Sequence, residues 1–166
     1  MSTPAPLAVT FPTDREIHVT RLFHAPRELV FRAHVTPDII RKWLLGPPGW
    51  EMPECVFEAK EGGRFRYTWR NTADGMTFSI GGTIVRFEPP GRLVHLEAME
   101  MPGQPKTEDA YVVTEFTSEG DWTRMTMTMR FASKEARDGA AASGMTDGME
   151  QSYARLDGVV ADAATA

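Results

Sequence analysis

The chain has 166 residues and a net charge of −5, with 42% hydrophobic and 25% charged residues, which suits one domain able to bury roughly two-thirds of its unfolded surface. The acidic balance speaks against nucleic acid as a bulk partner, since phosphate binding needs a concentrated basic surface. No segment approaches the ~20 apolar residues of a membrane span, and Cys55 as the only cysteine excludes an internal disulfide.

The first stretch, 1–14, reads as disordered or extended. It has no basic leader region, and its apolar run from Leu7 to Phe11 is too short for a signal peptide. With the single cysteine, this points to the cytoplasm. A single domain is expected over residues 15–163. It opens with a strand from Arg15 to His24, in which Ile17, Val19, Arg21 and Phe23 share a face. Pro26 then suits the first turn of a short helix reaching about His34. A second helix starts at Thr36-Pro37-Asp38, with an N-cap, a proline and an acid in the first turn. It carries Ile39, Ile40, Trp43 and Leu44 and must stop at Gly46-Pro47-Pro48-Gly49.

From Glu51 the punctuation is that of antiparallel hairpins. Strand 51–60 turns at Gly62-Gly63 into 64–71, and Asp74-Gly75 leads into a long strand, 76–88. Pro89-Pro90-Gly91 leads into 92–100, a longer loop into 109–117, and Glu119-Gly120-Asp121 into the last strand. That strand alternates cleanly, with Met125, Met127, Met129 and Phe131 on one face and Arg124, Thr126, Thr128 and Arg130 on the other. Seven strands result. Gly81-Gly82 inside the long one suggests a bulge or bend that lets the sheet curl.

After Ser133 the period changes. Met145, Met149, Tyr153, Leu156 and Val160 follow at helical spacings and form one apolar stripe. One long terminal helix is expected, with Gly144 and Gly148 inside it at a cost of about 1 kcal/mol each. Its stripe and the apolar sheet face must cover each other. The fold class is therefore α+β: a curled seven-stranded antiparallel sheet gripping a C-terminal helix, with two short helices after the first strand.

Several stretches resemble one known family. The run from Arg21 to Ala33, Trp43-Leu-Leu-Gly-Pro47, Gly62-Gly63-Arg64, Asp74-Gly75, Pro89-Pro90-Gly91-Arg92-Leu93, and Gly144-Met145 through Gly148-Met149 to Leu156 are similar to motifs of the bacterial homologues of the activator of the ninety-kilodalton heat-shock chaperone's ATPase. They occur in the family's order over about residues 15–161. The resemblance implies the helix-grip fold of the START/SRPBCC superfamily, shared with lipid-binding domains, the birch-pollen allergen family and polyketide cyclases. Met149 stands where the family often carries tryptophan.

Phe65, Tyr67 and Trp69 alternate with Arg64, Arg66, Thr68 and Arg70, so the aromatics point inward and the arginines outward. Phe78 on the next strand and Met127 on the last can face them, while Trp43, Met149 and Tyr153 approach from the helices. These eight side chains form either a solid core or the wall of an apolar pocket with polar tips at Tyr67 and Tyr153.

His95 and Glu97 share a strand face and are the nearest approach to an acid–base pair. No third orienting group is visible, so the expectation is that at least one of the two is exposed to bulk water or that their side chains lie beyond hydrogen-bonding reach. His18, His24, His34 and His95 show no metal spacing, no cofactor fingerprint occurs, and Cys55 reads as an inert structural thiol. The first expectation is binding of an apolar or amphipathic small molecule between sheet and helix. Its rivals are a protein-interaction module with a chaperone partner and a cyclase- or hydrolase-type enzyme using the same cavity; a homodimer is compatible with each.

Overall fold

The computed structural model describes residues 6–165. Eight strands, β1 (Ala8–Thr10), β2 (Glu16–Phe23), β3 (Trp50–Phe57), β4 (Arg64–Asn71), β5 (Thr77–Glu88), β6 (Arg92–Glu100), β7 (Ala110–Glu119) and β8 (Trp122–Arg130), form one antiparallel sheet. Their order across it is β1-β2-β8-β7-β6-β5-β4-β3. The helices are α1 (Arg27–Val35), α2 (Pro37–Trp43), α3 (Lys134–Ala142) and α4 (Met145–Thr165). This is the helix-grip arrangement, and no described helix is long and apolar enough to cross a membrane.

The eighth strand is β1, within the stretch expected to be disordered or extended. Val9 pairs with Val19, and the Leu7 N–H donates to Glu150 Oε1 at 2.8 Å. Three residues are too few to show an alternation, so the strand left no periodic signal. Residues 1–5 of that expected segment lie outside the described residues.

The glycine pair in β5 makes no bulge. Register with β4 and β6 is regular through Gly81 and Gly82, and the shift falls between Ile84 and Arg86. The pair instead permits close passage of backbones: a Cβ on Gly82 would sit 1.8 Å from the Leu96 carbonyl oxygen, which no side chain can accept. A second register shift, between Glu51 and Glu54, surrounds Pro53 on the edge strand β3, where a missing N–H is tolerated.

The expected single terminal helix is two. Ser133 caps α3, its side chain accepting from the Ala136 N–H at 3.0 Å, and Gly144 at φ +81 breaks the helix before α4. Gly144 is therefore a terminator in the left-handed region rather than an interior cost. Gly148 does lie inside α4, where a Cβ would meet Pro47 Cδ at 3.7 Å, so the Gly-Pro corner packs directly on the helix.

The apolar stripe of α4 behaves unevenly. Tyr153, Leu156 and Val160 are buried in the main core with Ile17, Val19 and Phe23 of β2, each worth ~1.5–3 kcal/mol. Met145 and Met149 are only partly buried. Between these ends sits Arg21, on the buried face of β2 and 3% exposed. Its guanidinium contacts Glu150 (Nε to Oε1, 2.8 Å) and Asp157 (Nη1 to Oδ1, 2.7 Å). These carboxylates are seven residues apart, two turns along one face of α4.

Burial by itself would weaken the Arg21 charge, but the bonds from Glu150 and Asp157 outweigh it and hold the pKa above its ordinary value. The same contact holds the Glu150 carboxyl below its usual range. Removing one member of a buried ionic cluster typically costs 3–5 kcal/mol. Glu150 and Asp157 keep partial exposure and can be rehydrated, so Arg21→Leu is expected to cost about 3 kcal/mol, the low end of that range. Urea unfolding checks this; a loss below ~0.5 kcal/mol, the ordinary surface value, would refute the clamp.

Candidate functional site

The concave face of the sheet and the first half of α4 do not meet completely. They leave between them a partly open cavity of about 180 Å³, comparable in volume with engineered apolar cavities of roughly 150 Å³ that hold one benzene. Strand β4 contributes Phe65, Tyr67 and Trp69, β6 contributes Leu93, His95 and Glu97, and β8 contributes Met127 and Met129. Met145, Met149, Ser152 and Tyr153 of α4 form the roof, and His34 and Trp43 of the short helices close one end. The inward alternation of β4 and β8 is the one read from the sequence, and the arginines of β4 do lie outside. There Arg66 pairs with Glu54 and Glu100 at 2.9 and 3.2 Å, and Arg70 with Glu51.

Seven of the eight candidate lining residues reach the cavity: Trp43, Phe65, Tyr67, Trp69, Met127, Met149 and Tyr153. Phe78 does not. It stacks on Trp69 at 4.9 Å and packs edge-on against Trp50, beside a separate cluster of Ile40, Met52, Cys55 and Trp69. Its face of β5 was read correctly, but its position along the strand lies past the cavity, which Ile80 lines instead.

The anchoring of the walls is polar. Trp43 Nε1 donates to the Ala33 carbonyl at 3.0 Å and Trp69 Nε1 to the Leu44 carbonyl at 2.8 Å. The Gly46 N–H donates to Ser152 Oγ at 2.8 Å, which ties the Gly-Pro corner to α4. Trp43 also stacks on Tyr153 at 5.6 Å.

The expectation that His95 and Glu97 lie beyond hydrogen-bonding reach fails, and of the two only Glu97 keeps partial exposure. His95 is buried, its side chain 11% exposed and that of Glu97 28% exposed, and Nε2 lies 2.7 Å from Glu97 Oε1. Both line the cavity with Tyr67 and Tyr153. Alternation could not choose between the two apolar-bearing faces of β6; register did, setting His95 beside Ile84 and Val112, both of the buried core. Phe65 packs edge-on against the imidazole at 5.0 Å.

Neither phenol has a hydrogen-bond partner among the described residues. Burial pushes both Tyr67 and Tyr153 above the ordinary phenol range; Cys55 and then Glu97 add to it at Tyr67, while at Tyr153 the Arg21 charge acts the other way and Glu97 and Glu150 add to the rise. Both phenols are therefore neutral and able to donate.

His34 was missed, because an isolated histidine on a short helix carries no periodic signal. Its Nδ1 is 2.8 Å from the Val30 carbonyl, which can only accept, so Nδ1 holds the proton. Nε2 is then a bare acceptor, buried and without a partner. Burial lowers the His34 pKa to about 4, against the bond to Val30, which favours the charged form.

Comparison with known proteins fits this geometry. A family model described as activator of Hsp90 ATPase homolog 1-like protein matches residues 24–161. The chain belongs to that family. Its architecture is the one shared across the SRPBCC superfamily. A crystal structure of a Rhodobacter sphaeroides protein is 31% identical, with a TM-score of 0.87 over 95% of this chain and 99% of that one. A Mycobacterium smegmatis protein is 21% identical, with a TM-score of 0.82 over 93% and 97%. The AHSA1-like protein from Aeromonas hydrophila is 20% identical, with a TM-score of 0.68 over 86% and 93%. These last two share the fold. Among curated proteins none matches.

The neutral His34 links stability to pH. Its folded pKa of about 4 lies below the ordinary 6.5, so between those values the unfolded chain holds the extra proton. Stability is therefore present above pH 6.5 and is lost as pH falls toward 4, by up to about 3 kcal/mol. Urea midpoints across that window should show the loss, and His34→Phe, which keeps a ring among Phe23, Trp43 and Phe116, should flatten it. An unchanged slope in the variant would assign the effect to other groups.

Proposed function

We propose that this protein binds a compact apolar or amphipathic small molecule in the cavity between sheet and α4. The observation that carries the reading is a cavity of about 180 Å³ with aromatic, aliphatic and thioether walls, into whose lining two unpartnered phenols and one His–Glu pair are set. Apolar walls with a few convergent polar groups are the usual make-up of a ligand site. A solid interior would instead have favoured the interaction-module reading.

An environment-sensitive dye should bind the native protein at one site and raise its melting temperature by mass action. Met149→Trp should fill the space, weakening the dye while costing roughly 1–3 kcal/mol or less in overpacking. Dye affinity that is unchanged in Met149→Trp would place the dye elsewhere and count against the cavity reading.

A second reading is favoured by the His95–Glu97 contact itself. A carboxylate on Nε2 orients the imidazole and leaves Nδ1 for a substrate proton, the arrangement a general base needs. Cys55 is outside the cavity lining and packs with Sγ against the Pro37 carbonyl at 3.8 Å, so this enzyme would use His95 as base without a thiol nucleophile. A substrate is first a ligand, so both readings share the site. Under this reading, turnover of a panel of small esters is lost in His95→Ala. No turnover by the unaltered protein would leave binding as the function.

A further inference from the structure

The charge inside the cavity is one-sided. Among the described residues, Glu97 is the only acidic side chain in the lining, and no lysine or arginine lines it. Only Glu97 Oε1 is engaged, by His95 Nε2 at 2.7 Å; Oε2 has no partner among the described residues. Arg21 approaches the Tyr153 ring, with its guanidinium carbon 6.0 Å from the centroid. It is not available to balance Glu97, because its nitrogens already bond Glu150 and Asp157. The effect of Glu97 is felt across the site, since its charge raises the pKa of both Tyr67 and Tyr153.

An anion brought here meets a partly exposed carboxylate and finds no lysine or arginine in the described lining to pair with, only the imidazole of His95 that Glu97 already engages. An ammonium meets the opposite situation. A free carboxylate oxygen offers it a charge-assisted hydrogen bond, and the phenol oxygens are acceptors without partners. The aromatic walls at Trp43, Phe65 and Trp69 present ring electrons that attract a cation. The size of the cavity limits the apolar body to about one ring.

We infer that the cavity selects a compact organic cation, a primary or quaternary ammonium on a ring-sized apolar body, with its charge at Glu97 between Tyr67 and Tyr153. This rests on the ligand-binding reading and names the class of ligand. Fatty acids and other carboxylates are excluded by the same electrostatics.

The test compares benzylammonium, benzyl alcohol and benzoate, three molecules of one shape and three charges, by calorimetric titration at pH 7. Methyl resonances of Met127 and Met149 report occupancy of the cavity rather than of the acidic surface. Benzylammonium should bind at one site roughly tenfold or more tighter than the alcohol and shift both methyls, while benzoate binds weakest. In Glu97→Gln the ratio of ammonium to alcohol affinity should fall to about threefold or less. Equal or tighter binding of the alcohol, tightest binding of benzoate, or a preference that survives Glu97→Gln overturns the inference and leaves the ligand-binding reading standing. Failure of all three to move the methionine methyls overturns both. The order of affinities in the unaltered protein decides the matter even if Glu97→Gln does not fold.

Discussion

The structure depends on how α4 is held against the concave face of the sheet. An amphipathic helix and a curled sheet must cover each other's apolar faces, but their curvatures differ, and contact along the whole length is not available. Arg21 resolves where contact is made. It stands on the buried face of β2 between Glu150 and Asp157 and draws the central turns of α4 onto that strand. Beyond it, Leu156 and Val160 are sealed into the core. On the other side Met145 and Met149 are lifted from the sheet, and the Gly-Pro corner, tied to Ser152 and resting on Gly148, keeps them there. The cavity is what remains.

The chemistry of that space follows from its position on rigid elements. Residues two apart on a strand share a face, so His95 and Glu97 meet without any loop to move them. The phenols of Tyr67 and Tyr153 come from opposite walls and stay neutral because burial penalises their ionised forms. Glu97 keeps one oxygen without a hydrogen-bond partner among the described residues, while His95 and partial exposure to solvent share its charge.

The sequence was most legible where a period ran long enough to be unambiguous. The alternation of β8, the inward aromatics of β4 and the stripe of α4 all appear where they were read. Thr36 and Pro37 do begin α2, and the prolines at 47 and 48 follow its end. Errors arose where a local signal had two physical meanings. Gly81-Gly82 signalled a bulge or bend; the register holds no bulge there, and the close approach to the Leu96 carbonyl gives Gly82 its own reason. Gly144 was compatible with a helix interior or a helix terminator, and only its left-handed φ distinguishes them. The strand β1 was too short to carry any pattern.

Fold class, strand order along the chain, the faces of the main strands and the need for a helix over the sheet were determined by the sequence alone, because they follow from periodicity, turn residues and the demand that apolar faces be buried. Whether that helix leaves a space, which of the correctly oriented side chains reach it, and which face of β6 turns inward were decided only in three dimensions. Phe78 points to the concave side yet sits past the cavity, while His34, from a distant helix, reaches it. Such distances depend on sheet curvature and on a long-range ionic contact, Arg21 with residues more than a hundred positions away. Neither leaves a periodic trace in the chain.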